Sequence, residues 1–226
     1  EESVVRLLHR MQLHAGLEDI PIELRLIKPR CPDCDGSCSD GGAGGCGGNC
    51  KCGHDAGHAT KNSCNTGACG PCLPEVEPAT SEPRLVDVGD GWRLQIPAAE
   101  LSHNVVLTAN LAKSLGLVFL LDTRPPGQFL EQSDIDIACE CAAVALGFGG
   151  LLLQASYLYS KSCGGPRVAQ LTRLSCGELA VLTVLFALRG GHKLRSLRKL
   201  LGTTQVSALD EAVELFRGNP AIVEDI

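Results

Sequence analysis

The chain has 226 residues, is 44% apolar and 20% charged, and carries a net charge of -6 with a pI near 5.5. An acidic balance and only 4% aromatic residues argue against a phosphate-backbone binder and against a base-stacking nucleic-acid platform. The apolar content supports a core, and the length suits one domain with a large insertion or two small domains.

In chain order, Ser3 to Ala15 has apolar residues at Val4, Val5, Leu7, Leu8, Met11 and Leu13 and ends at Gly16, which predicts an amphipathic helix with a glycine stop. Glu1 is followed by no signal-like apolar run, which leaves open a targeting segment already removed. Ile20 to Ile27 alternates apolar and polar residues and predicts a strand, near an edge because of Pro21. Residues 1–30 therefore read as an N-terminal helix and strand.

Residues 31–72 differ from everything else. Nine of the thirteen cysteines fall here: Cys31, Cys34, Cys38, Cys46, Cys50, Cys52, Cys64, Cys69 and Cys72. Large apolar residues are almost missing, so the segment cannot offset its ordering entropy by burial. Disulfides or metal ions are the remaining ways to order it. The odd cysteine count and a chain with its own core favour thiolates on metal in a reducing, cytoplasmic compartment. The C-x-x-C pairs Cys31/Cys34 and Cys69/Cys72 are knuckles that can converge on one tetrahedral zinc. His54 and His58 lie among the other five cysteines, and a second site can draw its ligands from those seven residues. One to three zinc ions are expected. The alternative is an iron–sulfur cluster, because Cys64-x4-Cys69-x2-Cys72 reproduces a plant-type ferredoxin loop.

Leu73 to Pro83 reads as a Pro/Glu/Ser linker. Residues 84–226 then read as a hairpin and a helical core. Leu85–Val88 and Trp92–Ile96 flank Gly89-Asp90-Gly91, a hairpin signal. Ala98 to Leu115 predicts a helix, and Leu117 to Leu121 is its continuation or a short strand. Ser133 opens a long apolar helix with Asp134 and Asp136 in its first turn. Cys141 to Ser160 has no charged residue and raises a membrane question. Its glycines, Gln154 and Ser156 favour a buried core helix instead, with no membrane span. Ser160 to Pro166 predicts an exposed turn in which Cys163 lies beside Lys161. A thiol-dependent enzyme using Cys163 is a further alternative. Ser175-Cys176-Gly177-Glu178 is a capping box before a helix that stops at Gly190-Gly191. The basic run His192 to Lys199 predicts the solvated face of a short helix. Thr204 to Phe216 predicts another helix, and Asn219-Pro220 opens a last turn. Cys139, Cys141 and Cys176 read as small hydrophobes or cap residues. His9, His14, His103 and His192 form no ligand spacing.

A strand hairpin leading into Val105–Gly116, followed by Glu131, Asp134, Asp136 and Gly147-Phe148-Gly149, resembles the layout of zincin-type metallopeptidases. The resemblance implies that the H-E-x-x-H slot is Ala109-Asn110-Leu111-Ala112-Lys113. Neither histidine nor the glutamate base is present there, so it implies a fold whose peptidase chemistry is gone.

The expected architecture is α+β: a small antiparallel sheet with a Cys-rich metal-binding insertion, followed by a mainly helical half. The expected function is a non-catalytic metal-binding scaffold or subunit that docks on a protein partner. An iron–sulfur electron-transfer subunit is the alternative.

Overall fold

A computed structural model describes residues 2–27, 84–125, 131, 134–162 and 165–224. The fold is mixed α/β, mostly helical, with a small sheet.

Helix α1 (Glu2–Ala15) buries Val4, Leu8 and Met11 and ends at Gly16, whose φ of 67° only glycine adopts without strain. The Gln12 side chain closes the following turn by donating to the Ile20 carbonyl at 3.0 Å. Strand β1 (Ile22–Ile27) follows. The chain is next described at Arg84, leading into β2 (Leu85–Asp87) and β3 (Trp92–Pro97). The sheet order is β1-β3-β2, so the strand after Pro21 lies at an edge, as its proline predicts. β2 and β3 form the expected antiparallel hairpin, with Leu85 opposite Leu94.

The sheet is not wholly antiparallel. β1 runs parallel to β3, pairing Ile22 with Trp92 and Ile27 with Pro97. The physical reason is connectivity. Parallel neighbours need a long crossover, and residues 28–83 with β2 provide one. β1 and β2 then run opposite ways on either side of β3. Ile27 and Arg84 leave the sheet at the same end, about 12 Å apart by strand spacing and register.

After a short 3-10 turn at Ala98–Ser102, α2 (Asn104–Thr123) crosses the body. Leu117–Leu121 continues this helix and forms no strand. α2 is central: Ala109, Leu111, Ala112, Leu115 and Val118 are buried. It packs closely on α3 (Ile135–Ala143) at Gly116, where a Cβ would overlap the Cys139 carbonyl. The helix expected from Ser133 starts at Ile135, and Ser133 itself lies outside the described residues.

A π-helical stretch, Val144–Phe148, joins α3 to α4 (Gly149–Ala155). Gly147 has φ 90°, and a Cβ there would lie 2.8 Å from His14 Nε2 on α1. The His14 ring also packs on Phe148, with centroids 5.5 Å apart. α1 is thus keyed onto this irregular turn by a position only glycine fills.

The uncharged run does not stay helical to Ser160. It stops at Ala155, and β4 (Leu158–Ser162) pairs antiparallel with β5 (Gly165–Ala169), Tyr159 opposite Val168. The turn expected over Ser160–Pro166 is therefore mostly strand. Cross-strand pairing outweighs the glycine signal of Gly165.

α5 (Cys176–Arg189) begins at the predicted capping box, in which Ser175 and Glu178 exchange side-chain and backbone hydrogen bonds. The basic run forms the exposed four-residue α6 (Arg195–Arg198). α7 (Thr203–Gly218) buries Leu209, Ala212 and Phe216, and α8 (Ala221–Glu224) is the last described element. The core lies among α2, α4, α5, α7 and the Leu94/Ile96 face of the sheet.

Two helical stretches, Asn104–Thr123 and Ile135–Ala155, are long and apolar enough to cross a membrane. In this fold about half of the most apolar 18-residue window of each, 50% and 44%, is buried against the rest of the protein.

Candidate functional site

Most of the residues expected to carry chemistry lie outside the described residues. These are Cys31, Cys34, Cys38, Cys46, Cys50, Cys52, Cys64, Cys69, Cys72, His54, His58 and Cys163. What is described is the frame around them and the Ala109–Lys113 slot on α2.

The slot is filled by structural groups. Ala109, Leu111 and Ala112 are buried in the core, and the Asn110 carbonyl accepts from Ser114 Oγ at 2.8 Å. Lys113 reaches sideways, and its Nζ donates to the Leu171 carbonyl at 2.8 Å. Burial lowers its pKa below the usual lysine value. The negative charge of Glu140 opposes that shift, Arg84 adds to it, and Asp136 and Glu100 oppose it more weakly.

Glu140 is the most consequential group that the sequence did not single out. It sits on α3 with 1% of its surface exposed. Its two carboxylate oxygens accept from the backbone N–H groups of Arg173 at 2.7 Å and Leu174 at 2.9 Å. A buried carboxylate is tolerable only with such donors. Lys113 and Glu140 thus grip one segment, residues 171–174, by a carbonyl and by two amides. The only forward signal was an acid set within an otherwise apolar stretch on α3. Its partners lie 33 and 34 residues away, beyond any local pattern.

A second charged pair borders this one. Arg84 donates to both oxygens of Glu100, at 3.0 and 2.5 Å. Glu100 is 9% exposed, and the Arg84 carbonyl accepts from Gln95 N–H at 2.8 Å. The first described residue after the Cys-rich segment is therefore pinned to the body by side chain and backbone together.

The acids tied to the peptidase-like layout do not gather at the slot. Glu131, Asp134 and Asp136 are exposed. Among the described residues, no three His, Cys, Asp or Glu side chains come close enough to hold a metal ion.

Comparison with known proteins finds no matching family model, no matching curated protein and no matching solved structure.

Two of the described thiols, Cys139 and Cys141, are held toward the protonated form. Cys139, Cys141 and Cys176 are free. Burial, then the charge of Asp136, pushes Cys139 up to about 11. Burial and Glu140 also raise Cys141. Thiols shifted in this direction hold their protons at neutral pH and make poor attacking groups.

Proposed function

We propose that this chain is a non-catalytic scaffold subunit of a cytoplasmic protein complex, in which residues 31–72 form a zinc-ordered module displayed from the end of a small sheet. The observation that carries this reading is the stem. β1 and β2 run in opposite directions on either side of β3, so the Cys-rich segment departs and returns at one end of the sheet. The return is fastened by the Arg84–Glu100 pair. Cys31 follows the end of β1 by only four residues in sequence. Nine cysteines and two histidines in the segment supply thiolate and imidazole ligands for one to three zinc ions.

The non-catalytic half of the proposal draws on the slot. Lys113 and Glu140 spend their hydrogen bonds on backbone groups. A degenerate zincin-like ancestry fits a fold whose Ala109–Lys113 segment serves packing. An iron–sulfur electron-transfer subunit is the competing reading, favoured by the Cys64-x4-Cys69-x2-Cys72 spacing.

Elemental analysis of native protein with a visible absorption spectrum separates the two. The zinc module gives colourless protein with stoichiometric zinc. A visible band that bleaches on reduction establishes the iron–sulfur reading instead. On chelation, amide exchange across residues 31–72 should rise sharply while α2 and α5 stay protected. Unchanged exchange in that segment overturns the metal-ordered module.

A further inference from the structure

β1 has one paired edge and one open edge. Trp92 N–H donates to the Pro21 carbonyl at 2.9 Å, and the parallel register runs from Ile22 opposite Trp92 to Ile27 opposite Pro97. Successive residues of a strand turn their backbone groups to opposite sides. Glu23 and Arg25 therefore direct theirs to β3, and Ile22, Leu24 and Leu26 present N–H and C=O on the other side. Among the described residues no strand pairs there. The strand is six residues long, carries no lysine, and keeps an unbroken register with β3. Proteins usually blunt such an edge with lysine, a bulge or a short strand. The opposite edge, β2, is short, with three residues.

The core face at β1 is also incompletely covered. Ile22, Leu24 and Leu26 are only half-buried, while the neighbouring Leu94 and Ile96 on β3 are 1% and 0% exposed. On the other face Glu23 accepts from Arg93 Nε at 2.9 Å and stays largely exposed, and Arg25 is exposed. The run Ile22-Glu23-Leu24-Arg25-Leu26 matches itself read backwards, apolar to apolar and acid to base.

We propose that the open edge of β1 pairs antiparallel with β1 of a second copy of this chain, about a two-fold axis at Leu24. Leu24 then exchanges both backbone hydrogen bonds with Leu24 of the second copy, and Ile22 does so with Leu26. Glu23 falls opposite Arg25 of the second copy, twice, at the non-hydrogen-bonded positions where cross-strand side chains come closest. Sliding one strand by two residues sets Glu23 against Glu23, or Arg25 against Arg25, so charge selects the central register. The two sheets become one continuous sheet, with both apolar faces on the same side. The chains leave β1 at Ile27 at opposite ends of the seam, so the two Cys-rich segments depart away from each other.

Sedimentation equilibrium of full-length protein under reducing conditions should show a monomer–dimer equilibrium. Arg25→Glu sets like charges opposite each other at both positions and should raise the dimer dissociation constant about tenfold. Mixing it with Glu23→Arg protein restores opposite charges, and the heterodimer should be tighter than either variant's homodimer. Amide exchange locates the seam. In the dimeric parent the Leu24 and Leu26 amides should be slow. In monomeric Arg25→Glu they should exchange freely, while the Glu23 and Arg25-position amides, bonded to β3, stay slow. A parent that is monomeric at about 1 mM overturns the pairing. So does a dimer whose affinity ignores Arg25→Glu, or one whose Leu24 and Leu26 amides exchange freely. If Glu23→Arg, which also loses its Arg93 partner, does not fold, the Arg25→Glu shift and the exchange pattern decide.

Discussion

Around α2, Leu111, Leu115, Leu152, Leu153 and Leu179 surround one another with almost no exposed surface, while β4 and β5 form a hairpin arm that leaves Tyr159 and Val168 in solvent and hangs from polar roots, where Gln205 holds Tyr157 and Glu140 holds Arg173 and Leu174. The body is held by non-directional apolar burial, which tolerates small shifts as long as volume is kept. The arm is held by directional hydrogen bonds, which either fit or fail. α2 serves both, with apolar residues toward α4 and α5 and with Lys113 toward the hairpin. The contrast implies that damage to the body spreads, whereas damage at a root stays local.

Removing apolar volume from the body gives the largest effect. Leu115→Ala leaves a cavity in the core and should cost about 3 kcal/mol, seen as a lower denaturation midpoint with an unchanged denaturant slope. A loss below about 1 kcal/mol means the body is looser than its burial indicates.

The intermediate effect is at alkaline pH, where two groups in the α2–α3 seam pull stability in opposite directions. Lys113 has a folded pKa below 10.5, so between that value and 10.5 the unfolded chain binds more protons and stability rises with pH. Cys139 is raised from 9.0 to about 11, so the folded chain keeps its proton longer and stability falls with pH across that window. Denaturation midpoints between pH 8 and 11 should therefore drop more steeply in Lys113→Met than in the parent, and less steeply in Cys139→Ala. Identical profiles for all three would dissociate the seam from the titration.

The smallest effect belongs to the arm surface. Tyr159→Ser removes an exposed ring and should change stability by less than about 0.5 kcal/mol. A larger thermal shift would mean that the ring is covered by something and that the arm is not an independent unit.

The helix ends were readable in advance because their signals are local. Gly16, the Ser175–Glu178 box and the solvated run of α6 all depend on neighbours within a turn. The edge position of β1 was readable from Pro21 for the same reason. Strand direction was not, because whether β1 pairs parallel depends on where residues 28–83 return the chain. The break at Ala155 was equally hidden. No glycine or proline ends that helix, and the chain turns where Gln205, 48 residues later, captures the Tyr157 carbonyl. Of the candidate site, the cysteines and histidines were legible as ligand types, whereas Glu140 was invisible because its partners are backbone amides that any sequence supplies.

The contact between His14 and Gly147 has a consequence during synthesis. α1 is made before its seat on the π-helical turn, which follows more than a hundred residues later. At ordinary translation rates that interval is on the order of ten seconds. For that time Val4, Leu8 and Met11 have no core to enter. α1 thus takes shape well before it is housed, and a chaperone that favours short apolar helices would find its opportunity there.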